Sequence, residues 1–109
     1  MLAIIIPYYK ITFFEATLQS LADQKDNRFK VYIGDDASPE DCSAVLKQFE
    51  GSFDFIYHRF QTNFGGTSLT EQWERCIELL DEEEKWFMIL GDDDSLSDTF
   101  VLNFHANYS

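Results

Sequence analysis

With 109 residues and a formal charge of −12, from 20 Asp and Glu against 8 Lys and Arg, the chain is limited to one domain with an anionic surface. That balance excludes capture of a phosphate backbone by a basic face, so no nucleic acid is expected and a bound nucleotide needs a metal to bridge like charges. Hydrophobic residues at 45% and aromatics at 17% suffice for a core, yet no apolar run approaches the ~20 residues of a transmembrane span.

The opening residues MLAIIIPYYK lack a basic leader and a small-residue cleavage site, so they read as a first strand and the compartment as cytoplasmic. Residues 2–6 form a β-branched apolar run, stopped by Pro7, of the kind covered on both faces of a sheet. Apolar residues at 14, 18, 21 and 22 then fall at helical spacing within residues 13–24. Residues 29–34 (FKVYIG) make a second strand, followed by the loop DDASP, in which Ser38 caps a helix that starts on Pro39 and runs to about Phe49. Gly51 breaks the chain before an alternating aromatic strand at 53–60 and the glycine-containing loop QTNFGGT at 61–67. Residues 68–80 carry an apolar stripe at 69, 73, 76, 77 and 80. Residues 86–90 form a fourth strand, GDDDSLSD follows, and Asp98 caps a last helix. Cys42 and Cys76 lie on separate predicted helices without paired spacing, as buried free thiols of a reducing compartment do.

The order βαβαβαβ(α) predicts an α/β, Rossmann-like, mostly parallel open sheet with right-handed crossovers and helices on both faces. In such sheets ligands bind beyond the carboxyl ends of the strands, where the strand order reverses. For an order 3-2-1-4 that point lies between strands one and four, which end in Pro7-Tyr8-Tyr9 and in Asp92, Asp93 and Asp94, beside Asp35 and Asp36 of strand two. Carboxylates ~4 Å apart repel by ~4 kcal/mol at a surface-like dielectric, so the cluster calls for a cation, hydrogen-bond donors or open solvent. Oxygen ligands of this kind suit Mn²⁺ or Mg²⁺ held together with a substrate's phosphates. The competing reading is that each aspartate run is a solvated turn capping the next element, and that Tyr8 and Tyr9 simply pack.

Taken together, IIIPYYK, YIGDDAS at 32–38, NFGG at 63–66 and GDDDSL at 91–96 resemble the nucleotide-binding part of a family 2 glycosyltransferase of the GT-A fold. GGTSLTEQWERCIEL is further similar to bacterial members that build surface polysaccharides. The resemblance implies that Pro7 shapes the strand exit, Tyr9 lines or stacks on the base, and Asp36 accepts a hydrogen bond from the base, such as uracil N3–H. It places Asn63 and Gly65 in the donor loop, Asp92 near the ribose or donor sugar, and Asp93 and Asp94 on the metal. Gly91 stands where the first acid of the Asp-x-Asp motif is usual, and the first basic residue after the Asn-x-Gly loop, Arg75, lies two helical turns along its helix.

The implied function is metal-dependent transfer from a nucleotide-diphosphate sugar, a UDP-sugar, to a glycan or lipid-linked acceptor at the inner face of a membrane. The chain would be the donor part of a truncated GT-A domain, with the acceptor half and the general base lying outside residues 1–109. His58 and His105 read as structural. The alternative from another class is a non-catalytic remnant that self-associates as a homodimer through strand four. A receiver or phosphatase is disfavoured, because Pro-Tyr-Tyr stands where those folds need an acid.

Overall fold

A computed structural model describes residues 1–81 and 83–108. Four strands, β1 (Leu2–Tyr8), β2 (Phe29–Asp35), β3 (Asp54–Arg59) and β4 (Trp86–Ile89), form a parallel sheet in the order β3-β2-β1-β4. Helices α1 (Phe14–Ala22), α2 (Ser43–Gln48), α3 (Leu69–Ile77) and α4 (Phe100–Tyr108) alternate with them. β1 and β2, the central strands, are buried along nearly their whole length, which is why both read as continuous apolar runs.

Strand alternation sends Leu2, Ile4, Ile6, Val31 and Ile33 to one face, where they meet Phe14 and Leu18 of α1, Leu46 of α2 and Val101 of α4. Ala3, Ile5 and Tyr32 point the other way, onto Cys76 of α3. Helices therefore cover both faces, as the βα alternation predicts. Both cysteines are free and buried, and burial pushes the Cys42 thiol up to about 11 and the Cys76 thiol up to about 12.

Three local expectations are corrected. β1 does not stop at Pro7 but continues through Tyr8, pairing Pro7 with Gly34 and Tyr8 with Asp35. The ring is tolerated because β4 ends opposite Ile5, leaving that flank of β1 without a neighbour. Secondly, α2 begins at Ser43, since Ser38 is already engaged: its N–H donates to Asp35 Oδ1 at 2.9 Å, its hydroxyl donates to the Tyr9 carbonyl and accepts the Glu40 N–H at 3.0 Å. Ser38 thus knits the carboxyl ends of β1 and β2 instead of capping a helix. Lastly, the Thr99 carbonyl receives the Asn103 N–H at 2.9 Å, which makes Thr99 the residue flanking α4, while the Asp98 side chain faces Lys25 at 3.8 Å.

Among the described residues no helix is long and apolar enough to cross a membrane.

Candidate functional site

Because β1 outruns β4, a crevice opens above the sheet at the reversal of strand order. It holds a cavity of about 620 Å³ lined by Pro7, Tyr9, Asp36, Asn63, Gly65, Asp92 and Asp94, seven of the eight residues singled out from the sequence. Asp93 is exposed and stands outside the lining. His58 is exposed at the end of β3, edge-on to Phe60 at 4.7 Å, and buried His105 donates from Nε2 to the Arg28 carbonyl at 2.7 Å, so both lie apart from the cavity.

Asp36 is buried at the tip of β2, and its carboxylate organises the 61–67 loop. Oδ1 accepts the Phe64 N–H at 2.7 Å and Arg75 Nη2 at 2.6 Å, and Oδ2 accepts the Gly65 N–H at 2.8 Å. A Cβ on Gly65 would fall 2.5 Å from Asp36 Oδ2, so glycine is needed for this approach of backbone to carboxylate. Asn63 closes the same loop, its amide donating to the Asp36 carbonyl at 3.1 Å and its oxygen accepting the Gly66 N–H at 2.8 Å. The Ser68 hydroxyl accepts the Glu71 N–H at 3.2 Å and starts α3, the Ser-x-x-Glu arrangement of a helix N-terminus.

Across the crevice, Asp92 Oδ2 accepts the N–H groups of Tyr9 and Lys10, each at 2.8 Å, and its carbonyl accepts the Thr17 hydroxyl at 3.1 Å. Asp92 therefore pins the β1–α1 turn, with the partly exposed Tyr9 ring left facing the cavity. Asp93 and Asp94 make no ion pair among the described residues. Both carboxylates lean over Gly91, where a Cβ would lie 2.7 Å from Asp94 Oδ2 and 3.0 Å from Asp93 Oδ1. The missing first acid is thus consistent with the local packing, because any side chain at 91 would contest the space those oxygens occupy.

Two exposed carboxylates converging on one spot fit a hard dication that takes its remaining ligands from water and a diphosphate. Among the described residues no group of three or more His, Cys, Asp or Glu side chains is assembled to hold a metal.

Two contributions of α3 escaped the sequence reading. The apolar stripe at 69, 73, 76, 77 and 80 divides: Cys76 enters the core, whereas Leu69 and Trp73 stand exposed beyond the sheet and line the cavity. Arg75, noted in the sequence only as the first basic residue after the Asn-x-Gly loop, pairs with Asp36 through Nη2 at 2.6 Å.

The parallel sheet in the order β3-β2-β1-β4, with helices on both faces and a crevice at the switch point, is the architecture of a GT-A type glycosyltransferase fold. The chain belongs to glycosyl transferase family 2, whose model matches residues 3–104. Its structure is similar to that of S. aureus TarS 1-349 in complex with UDP-GlcNAc, at 18% identity and a TM-score of 0.83, covering 96% of this chain and 30% of that one. The same TarS segment in complex with UDP gives 19% identity and a TM-score of 0.83, over 96% and 31% of the two chains. S. aureus TarS itself gives 19% identity and a TM-score of 0.82, with 96% and 19% covered. The chain thus spans about a third or less of the length of these relatives. No curated protein sequence matches it.

Proposed function

We propose that residues 1–109 bind the donor of a sugar transfer, a uridine-diphosphate sugar, together with Mn²⁺ or Mg²⁺. The observation that carries this reading is the cavity at the switch point, into which four separate sequence motifs deliver Pro7 and Tyr9, Asp36, Asn63 and Gly65, and Asp92 and Asp94. Membership of the family and the TarS structures with UDP and UDP-GlcNAc support it. Tyr9 offers a ring to the base, Asp36 accepts from its N–H edge, and Asp92 holds the Tyr9–Lys10 backbone in place. Asp94, with Asp93 beside it, would hold the dication, which when bound neutralises charge on the leaving diphosphate.

In the transfer itself an acceptor hydroxyl, from a glycan or a lipid-linked sugar, bonds to the anomeric carbon as the bond to the diphosphate oxygen breaks. The hydroxyl proton passes to a general base as the new bond forms.

Titration calorimetry of UDP into the purified chain tests the donor reading. With Mn²⁺ we expect saturable binding that is abolished by EDTA, lost in Asp94→Ala and weakened in Asp93→Ala, each variant melting like the parent. A folded chain that gives no heat with millimolar UDP and Mn²⁺ would overturn the reading. One feature favours the self-associating remnant in that case: β4 is an edge of the sheet among the described residues, and its Trp86 and Phe87 are half exposed. Concentration-dependent sedimentation would then accompany the absent heat.

A further inference from the structure

Arg75 does not line the cavity, yet its side chain is only 13% exposed, its Nε and Nη2 are hydrogen-bonded and its guanidinium carbon lies over two aromatic rings. Nη2 donates to Asp36 Oδ1 at 2.6 Å and to the Thr62 carbonyl at 2.7 Å, and Nε donates to Gln72 Oε1 at 2.6 Å. Its plane lies between two rings, with Cζ 4.0 Å from the Phe60 centroid and 4.1 Å from the Phe64 centroid. Gln72 in turn donates to the Gly34 carbonyl at 3.2 Å, which ties the whole arrangement to β2. A planar fork stacked between aromatics is a geometry that only arginine supplies; lysine keeps the charge and loses the rest.

We propose that Arg75 is a positioning residue for nucleobase recognition, fixing the Asp36 carboxylate from behind so that one acceptor direction, on Oδ2, remains for the base. This rests on the donor-binding reading of the cavity. Each carboxylate oxygen accepts about two hydrogen bonds. Oδ1 is filled by Phe64 N–H and Arg75, whereas among the described residues Oδ2 holds the Gly65 N–H alone, and Asp36 borders the cavity. A single open acceptor matches a base edge with one N–H between carbonyls, as uracil presents. It opposes the bare N3 acceptor of cytosine and leaves the paired N–H groups of guanine one partner short. Without the fork the carboxylate is free to turn, and the uracil-specific contact is lost while the sugar and phosphate contacts stay.

The test is a comparison of UDP and CDP binding, each with Mn²⁺, to the parent, Arg75→Gln, Arg75→Lys and Arg59→Gln chains, with a thermal melt of each. Arg59 pairs with the neighbouring Asp35 and does not line the cavity, so Arg59→Gln controls for loss of an ion pair alone. We expect Arg75→Gln to weaken UDP about tenfold and leave CDP within about twofold, as loss of one charge-assisted contact implies. Arg75→Lys should fall between, and Arg59→Gln should melt lower at an unchanged UDP-to-CDP ratio. Should Arg75→Gln fail to fold, Arg75→Lys decides alone. An unchanged ratio in folded Arg75 variants, or equal weakening of both nucleotides, would overturn the proposal while leaving the donor reading standing. A parent chain that binds both nucleotides equally, or neither, would overturn the uridine reading and the proposal with it.

Discussion

Two acidic strand ends face each other across the crevice and are treated oppositely. At β2, Asp35 and Asp36 are buried and each has its own arginine: Arg59 at 3.1 Å, together with the Tyr57 hydroxyl, and Arg75 at 2.6 Å. After β4, Asp92 is spent on two backbone N–H groups, while Asp93 and Asp94 are exposed and have no cationic partner among the described residues. The first pair is neutralised from within and builds structure. The second leaves its charge to solvent or to a cation from outside, which is the physical basis for proposing Asp36 as the base contact and Asp93 and Asp94 as the dication's ligands.

If that contrast is right, removing acids at the two ends should have unequal costs. Asp36→Ala strips three donors of their acceptor and leaves Arg75 as an unpaired, nearly buried cation, which typically costs ~3–5 kcal/mol. Asp94→Ala should change stability by no more than about 0.5 kcal/mol, as exposed substitutions usually do. Denaturant unfolding of both variants measures the difference. Similar losses for the two would erase the distinction between a structural end and a ligand end.

The sequence carried the fold well, because the two central strands are buried on both faces and their apolar runs are unmistakable. It also brought the candidate residues to one crevice, since the carboxyl ends of β1, β2 and β4 follow directly from strand order. Local capping was not legible. Ser38-Pro39 has the composition of a helix start, but the Ser38 hydroxyl is consumed by Tyr9 and Glu40, and a partner 29 residues away cannot be read from a five-residue window. The role of Arg75 was not legible for the same reason. Its importance lies in a contact with Asp36, 39 residues distant, and in two rings brought together only by folding. The exposed half of the α3 stripe was hidden because periodicity identifies a face and not what stands opposite it.

A subtler division of the two ends comes from their glycines. An alanine at 65 would put its Cβ 2.5 Å from Asp36 Oδ2, an oxygen held by the Gly65 N–H in a buried carboxylate whose other oxygen is held by the Phe64 N–H and Arg75. With nowhere to go, that clash should cost about 1–3 kcal/mol, in the range of overpacked cores. An alanine at 91 would meet Asp94 Oδ2 at 2.7 Å and Asp93 Oδ1 at 3.0 Å, but both are tips of exposed side chains that can swing away. Gly91→Ala should therefore fold with near-parental stability and weaken Mn²⁺-dependent UDP binding, measured by melting and calorimetry. Equal destabilisation of the two would mean that the acidic tip after β4 is as rigid as the end of β2.

The smallest effect concerns Ala37, the hinge between Asp36 and Ser38, which has φ of 54°. A left-handed conformation costs a residue with a Cβ roughly 1–2 kcal/mol, and here it is imposed by bonds on either side. The Asp36 N–H donates to the Tyr8 carbonyl at 2.9 Å and the Ser38 N–H to Asp35 Oδ1 at 2.9 Å, so the chain must reverse within one residue to satisfy both. Ala37→Gly removes the steric cost but gives the unfolded chain more freedom, worth roughly 0.5–1 kcal/mol in the opposite direction. The expected net is a stabilisation between zero and about 1 kcal/mol, read from the shift of the urea midpoint at constant m-value. A loss of stability would show that the two flanking bonds do not force the turn, and the β2 end would then be held mainly by the contacts of the Asp35 and Asp36 carboxylates. A gain, with UDP affinity kept, would locate the strain in the backbone that presents Asp36 and separate it from the carboxylate contacts that fix its direction.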